Sequence, residues 1–288
     1  MTQIRRLFHD KGMPPLDEPL AGAAITKRLR EDREQRGEKP TAANTRLRCS
    51  DAHACSRRIA FGMLKIPRDI PLSDDSLMAF KAGDFYHQIA QEALTLALGA
   101  RCEVPIDWSP QISLSGHCDA VYDGGDAPVA VEIKSMGGYG FEYAVGNRKS
   151  QSGPGPKPEH LVQAGLYALA PQIRAAEVHI VYLSKDRGTC AEWLIGVDQP
   201  LTHLADSPTV ESLVAAEIER LQGLLKRVDG GQLPKRFIPG FGVVDDPPES
   251  GSRAQPWNCR FCAWQPTCAG LPTEPVAIEL LNTNPAAA

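Results

Sequence analysis

The period of the hydrophobic and polar positions changes several times along the chain, and each change marks an element. Over residues 76–98, Leu77, Phe80, Ile89, Ala93, Leu94 and Ala97 recur at the spacing of three and four that gives a helix one apolar face. Alternation and β-branched content then predict strands over 101–108, 111–122 and 128–135. A helix over 159–170, strands near 176–185 and 189–197, and a helix over 207–228 follow by the same rules. Upstream, helical periods predict helices over 21–36 and 41–64. Residues 136–158 and 239–256 are rich in Gly and Pro and read as loops. The first is a long, mobile loop by this reading, and a loop of that length inside a compact domain is more often functional than incidental.

Strands alternating with helices over 288 residues, 42% of them hydrophobic, give an α/β chain able to bury one elaborated domain. No apolar run approaches the roughly 18 residues of a membrane span, and the N-terminus lacks the apolar core of a secretory signal. The expected location is cytoplasmic. In a reducing compartment the eight cysteines favour metal ligation over disulfides wherever their spacing is tight, as in Cys259-x2-Cys262. Cys102, Cys118 and Cys190 lie in strand-like runs and are expected to be buried thiols. The net charge of -4 is uneven: residues 1–68 carry +7 and the remainder -11. A basic end attracts phosphate, although residues 27–39 alone read as a solvated, salt-bridged helix face.

Candidate chemistry concentrates in the middle. Residues two apart on a strand share a face, so Glu132 and Lys134 point the same way. A hairpin across the Asp123-Gly-Gly-Asp126 turn would set Asp119 beside Glu132. Adjacent carboxylates repel unless a cation lies between them. Oxygen ligands suit Mg²⁺ or Mn²⁺, and His87 as a further ligand favours Mn²⁺. Phosphodiester hydrolysis needs on the order of 20 kcal/mol removed from its barrier, whereas a general base supplies only about 10²- to 10⁴-fold. A bound cation can cover the remainder. Gln163 and Tyr167, four apart on a helix, face one direction and can hold a water, a phosphate or a base. An ordinary surface hairpin bearing a Glu–Lys pair is the plainer alternative for the strand motif taken alone.

In these residues the chain resembles the RecB-like branch of the PD-(D/E)XK nucleases, whose pattern is a helical His, G-x-x-D, E-x-K and Q-x-x-x-Y. Here they are His87, Gly116-His-Cys-Asp119, Glu132-Ile133-Lys134 and Gln163-x-x-x-Tyr167. With Cys55 followed by Ser-Arg-Arg, and with Cys259-x2-Cys262-x5-Cys268, it is similar to the CRISPR-associated "Cas-four" exonucleases and their stand-alone phage relatives. The resemblance spans about residues 41–268. It implies a restriction-endonuclease-like core, a central mixed sheet flanked by helices, with a helical iron-sulfur subdomain joining the chain ends, built from about 41–68 and 239–270. Residues 1–40 would be a basic, weakly ordered extension and 271–288 a tail. It further implies DNA cleavage with Mg²⁺ or Mn²⁺ held by His87, Asp119, Glu132 and the Ile133 carbonyl, and catalysis by Asp119, Glu132, Lys134, Gln163 and Tyr167.

Four thiolates hold either Zn²⁺ or a [4Fe-4S] cluster, and ligand count does not decide between them. The resemblance favours the cluster, on Cys55, Cys259, Cys262 and Cys268, with Cys49 the rival for the fourth position and with Trp257, Phe261 and Trp264 as a shield from water. The leading expectation is an exonuclease preferring single-stranded DNA ends in recombination, replication or repair. Trimming of prespacers in CRISPR adaptation uses the same chemistry, and a catalytically silent DNA-binding scaffold is the alternative of another class. Arg148, Lys149 and Lys157, in the 136–158 loop, are candidate DNA contacts.

Overall fold

The computed structural model describes residues 27–28, 30–31, 47–146, 153–240, 242–244 and 257–282. A short strand β1 (Leu47–Arg48) and a 3-10 turn (Cys49–Asp51) lead into helix α1 (Ser56–Met63). Helix α2 (Asp74–Leu98) is set at both ends by local chemistry. The Ser73 hydroxyl accepts from the Ser76 N–H at 3.2 Å, Asp74 and Asp75 complement the positive end of the dipole, and Gly99 closes the helix at φ 63°.

Strands β2 (Arg101–Asp107), β3 (Leu114–Asp123), β4 (Pro128–Met136), β5 (Glu177–Ser184) and β6 (Cys190–Gly196) form a mixed sheet with β1, in the order β1-β3-β4-β5-β6 with β2 also on β3. β2 runs antiparallel along β3 from Arg101↔Val121 to Asp107↔Ser115 and takes one edge of it. The other edge is shared. β1 pairs in parallel at Leu114 and Ser115, and β4 pairs antiparallel only from Ala120↔Val131 to Asp123↔Pro128. Beyond that point β4 leaves β3 and follows β5 in parallel as far as Met136↔Ser184. β3 and β4 therefore fork just past Ala120 and Val131, and the fork opens at Asp119 and Glu132.

Because β4 and β5 are parallel, the chain must cross over between them. Helices α3 (Gly138–Val145) and α4 (Pro158–Ala168) lie in that connection, and α4 packs with α5 (Val210–Asp229) over the main core. Gly165 permits this approach: a Cβ there would stand 2.5 Å from Val210 Cγ1 and 2.6 Å from Val214 Cγ2. α2 covers the opposite face through Ala90 and Leu94, against Ala120, Val131, Ile133 and Val181. β4 is thus buried from Val129 to Ile133 without alternation, as a strand covered on both faces must be. A second core joins α1 to the C-terminal residues through Ala60, Phe61, Leu233, Trp264, Leu271, Val276 and Leu281. β7 (Gln232–Leu233), paired with β10 (Val276–Ala277), contributes to it, and the remaining C-terminal elements are the hairpin of β8 (Phe237–Ile238) and β9 (Gly242–Val243), α6 (Trp257–Arg260) and α7 (Gln265–Ala269).

The sheet and its helices follow the sequence reading, with corrections. Residues 47–64 are not one helix, because β1 and the 3-10 turn precede α1. The 136–158 segment contains α3, whose Phe141 and Ala144 are buried; residues 147–152, with Arg148 and Lys149, lie outside the described residues. α2 presents the other face from the one its large apolar residues predict: Phe80 and Ile89 are exposed, while Ala82, Gly83, Tyr86, His87, Ala90, Gln91 and Leu94 turn inward. Cys190 is exposed, being the first residue of edge strand β6. Packing continues beyond residue 270 to Leu281, so 271–282 is part of the second core rather than a tail. Among the described residues no helix is long and apolar enough to cross a membrane.

Candidate active site and cysteine pocket

At the fork the register that pairs Ala120 with Val131 brings Asp119 and Glu132 side by side. Asp119 Oδ2 accepts the Ile133 N–H at 2.7 Å, a donor that the parting of the strands releases from the β3–β4 ladder. Its Oδ1 faces His87 Nδ1 at 3.6 Å, and Gln91 Nε2 donates to the Asp119 carbonyl at 3.0 Å. α2 therefore reaches the site through two residues one turn apart. Burial disfavours the charged His87 ring, but the hydrogen bond and charge of Asp119 outweigh it and raise its affinity for the proton.

Glu132 is fully buried. Its Oε1 meets the Lys134 ammonium as an ion pair without the directionality of a hydrogen bond, and Oε2 has no hydrogen-bond partner. Burial pushes its carboxyl up to about 7, with Lys134 pulling the other way and Asp119 adding to the rise. Lys134 is held from α4 as well: its Nζ donates to Gln163 Oε1 at 3.0 Å, and Gln163 Nε2 donates to the Tyr167 hydroxyl at 2.9 Å. This places Gln163 and Tyr167 as a brace for the ammonium.

Gly116 explains the spacing of its motif. A Cβ there would lie 3.1 Å from Tyr167 Cε1 and 3.3 Å from both Cβ and Sγ of Cys49. The same residues open onto a cleft of about 870 Å³ lined also by Arg48, His117 and Gln172. Lys157, the described member of the three basic candidates, caps α4, and its N–H donates to the Tyr182 hydroxyl at 2.9 Å. A Cβ at Gly83, one turn before His87, would make an ordinary 3.6 Å contact with Ser135 Oγ.

The cysteines separate into two groups. Cys49 is buried in the main core beside Gly116, and burial, reinforced by Glu132, pushes its thiol up. Cys55, Cys259, Cys262 and Cys268 line one small, partly open cavity with Arg236, Asn258 and Gln265. Cys49 is not among the residues that line it. Burial pushes Cys259 and Cys262 up to about 11, and it raises Cys268 against the opposing charges of Arg57 and Arg236. Three polar atoms buried at this cavity have no partner: Arg236 Nε, Asn258 Oδ1 and Gln265 Oε1. Turning the two amides over would present N–H donors in place of the oxygens. Of the expected shield residues, Trp264 is buried but does not line the cavity, and Phe261 is 67% exposed.

Arg236 and the pair Glu217–Arg220 were invisible in the sequence. Arg220 grips the buried Glu217 with two bonds of 2.7 and 2.6 Å and donates to Ser56 Oγ at 2.7 Å, while Glu217 Oε1 accepts the His53 N–H at 2.7 Å. The pair fixes the approach to Cys55. Among the described residues no three His, Cys, Asp or Glu side chains converge closely enough to hold a metal ion. The expected ligands His87, Asp119, Glu132 and Ile133 are gathered at one fork but not into one coordination shell, because the Glu132 charge is met by Lys134.

No family model matches the chain, and no curated protein does. Its structure is similar to that of SSO0001, at 16% identity over 87% of this chain and 97% of that one, with a TM-score of 0.48. It is also similar to LHK-Exo, an alkaline exonuclease from Laribacter hongkongensis, at 15% identity over 66% of this chain and 96% of that one, with a TM-score of 0.39. The complex of LHK-Exo with dAMP gives 18% identity, 67% and 98% coverage and a TM-score of 0.39. At scores and identities this low the likenesses assign neither a family nor an activity to the chain.

Proposed function

We propose that the chain is a metal-dependent DNA exonuclease of the PD-(D/E)XK type, with Mg²⁺ or Mn²⁺ held at the fork by His87, Asp119, Glu132 and the Ile133 carbonyl. The observation that carries this is Glu132: a carboxylate fully buried beside another carboxylate, with one oxygen unpartnered. Such an arrangement costs stability and is retained where a cation is to be bound. When bound, a divalent ion supplies positive charge to the attacked phosphate and acidifies a water.

The remaining roles belong to the chain. Lys134, braced through Gln163 and Tyr167, keeps a fixed N–H donor where charge develops on the phosphate. Asp119, locked by the Ile133 N–H, keeps one oxygen turned toward His87 and the opening. The cleft beside Gly116, with Arg48 and His117 in its wall, is a path for the strand, and the basic residues Arg148, Lys149 and Lys157 supply further phosphate contacts. A strand that must reach a buried carboxylate has to be flexible, which favours single-stranded DNA with a free end, as in recombination, replication or repair. The four-cysteine cavity is read as the site of a [4Fe-4S] cluster. Its thiols and its unpartnered Arg236 Nε suit an anionic, sulfur-rich group that accepts hydrogen bonds. Thiols kept for a metal fit a reducing, cytoplasmic setting.

The test is cleavage of end-labelled linear and circular DNA, single- and double-stranded, with Mn²⁺. Linear single strands should be cut fastest, with rates falling as salt rises, and Glu132→Ala and Asp119→Ala should abolish cutting in folded protein. Cutting retained by Glu132→Ala would reject the site, and efficient cutting of circles by the parent would reject the exonuclease assignment.

A further inference from the structure

Two guanidiniums are buried at or beside the cysteine cavity, and among the described residues neither has a carboxylate partner. Arg57 is 0% exposed and Arg236 2%. Arg57 donates to main-chain carbonyls alone among its oxygen acceptors: Nε to Pro234 at 3.1 Å, Nη1 to Pro272 at 2.8 Å, and Nη2 to Thr273 at 3.2 Å and Glu274 at 3.1 Å. Arg236 donates to Thr273 Oγ1 at 3.2 Å, to the Cys268 carbonyl at 2.8 Å and to the Leu271 carbonyl. Its Nε–H is buried and unpartnered. Neutral oxygens satisfy donors but cancel no net charge, and an arginine does not shed its proton to escape burial. A nearby anion would balance them.

The groups at hand are the four thiols. Arg236 shares the cavity with Cys55, Cys259, Cys262 and Cys268, and Arg57 stands close enough to Cys268 for its charge to favour the thiolate. Four thiolates around a [4Fe-4S]²⁺ core carry a net charge of minus two, and so do four thiolates around Zn²⁺. Two guanidiniums neutralise either. We propose that Arg57 and Arg236 are the counter-charges of a dianionic tetrathiolate metal centre, and that occupancy of this centre decides whether residues 257–282 stay docked on the nuclease core. The proposal rests on the metal reading of the four cysteines.

The second half follows from where the guanidiniums reach. Their acceptors at 268 and 271–274 belong to the C-terminal segment, so the groups that face the centre also tie that segment to α1 and to the residues before β8. Without the anion two buried cations are left uncompensated. Hydrating them requires the 268–274 stretch to lift away, whereas the fork is built on the other core and keeps its own contacts.

The full chain is purified anaerobically and analysed for iron, sulfide and zinc, which separates cluster from zinc. Metal release to EDTA is then timed in the parent and in Arg236→Gln, Arg236→Lys, Arg57→Gln and Arg57→Lys. If iron is present, its midpoint potential is measured by dye titration. Loss of charge should speed release about tenfold or more in the Gln variants, as with other outer-sphere changes, and the Lys variants should stay closer to the parent. The potential should move negative in Gln variants and less in Lys variants, because removing a nearby cation makes an anionic centre harder to reduce. Hydrogen exchange across 257–282 should rise on metal removal while β3 and β4 stay protected. A parent free of metal rejects the reading of the cysteines and the proposal with it. A loaded parent with Gln and Lys variants alike in release and potential leaves that reading standing and overturns the counter-charge role. Unchanged exchange in 257–282 overturns the docking role. Should Arg57 variants fail to accumulate, the Arg236 pair decides, since it loses fewer main-chain ties.

Discussion

Gly116→Ala adds one methyl group where three atoms already crowd the strand. The new Cβ would stand 3.1 Å from Tyr167 Cε1 and 3.3 Å from Cys49 Cβ and Sγ, each a few tenths of an ångström inside comfortable contact. Cys49 is fully buried and cannot retreat, and Tyr167 is 4% exposed, so the ring must turn. Overpacking of this kind costs about 1–3 kcal/mol, against roughly 0.5–1 kcal/mol gained by replacing a strand glycine. The net loss is about 0–2.5 kcal/mol, read as a lower urea midpoint with unchanged slope. The larger effect is on turnover, because the Tyr167 hydroxyl holds Gln163 and Gln163 holds Lys134. A displacement of a few tenths of an ångström passed along two hydrogen bonds should lower the rate on single-stranded DNA about tenfold. Adding Cys49→Ala removes one of the three contacts and should recover part of the stability but little of the rate, since the contact with the ring remains. Parental turnover in Gly116→Ala, at reduced stability, would refute the idea that the ring positions Lys134.

Two further outcomes concern stability. Arg220→Ala leaves Glu217 buried with the His53 N–H as its remaining bond and should cost about 3–5 kcal/mol in urea unfolding; Glu217→Leu with Arg220→Met should restore much of it. His160 hydrogen-bonds the Tyr182 hydroxyl at 2.6 Å, and burial, then Lys134 and Lys157, push the ring down to about 3 from its ordinary 6.5. The folded value lies below the unfolded one, so the unfolded chain takes the proton first: the contribution of His160 is complete above 6.5 and drains away as pH falls toward 3. His160→Gln should flatten stability between pH 6.5 and 4.5 by about 2 kcal/mol, and an unaltered acid limb would reject a neutral buried ring.

What the sequence made legible was periodic or local. Strands β2 to β6 are apolar runs bounded by turn residues, and the hairpin register follows from the short Asp123–Asp126 turn, so the pattern alone sets Asp119 beside Glu132. The spacing of Gln163 and Tyr167 likewise gives their common face on α4. Three things were not legible. α2 misled because Phe80 and Ile89 face outward while its inward face, beside Tyr86 and Leu94, is Ala, Gly, His and Gln, which allow closeness to β3 and β4 rather than supply hydrophobicity. The break between β1 and α1 has no periodic signature, since β1 exists only by pairing with Leu114 and Ser115. Arg236 carried no signal, as its acceptors lie 32 to 37 residues away and nothing local separates a buried arginine from a solvated one.

The stretch from Leu47 to Arg57 shows why the two centres belong to one molecule. β1 fastens it to β3 immediately before Gly116, and Cys49 then forms part of the cleft wall. Six residues later Cys55 lines the cysteine cavity, and Arg57 grips the C-terminal carbonyls. Between the two, the His53 N–H and Ser56 Oγ are held by Glu217 and Arg220 of α5. A segment this short and fastened at three places transmits displacement poorly, since movement at the cysteine end is resisted by the ion pair before it reaches Cys49. Under the counter-charge proposal, the C-terminal residues respond to the state of the cysteines while the carboxylate fork keeps its geometry. The arrangement makes Glu217 and Arg220, far from any reacting atom, the residues on which that independence depends.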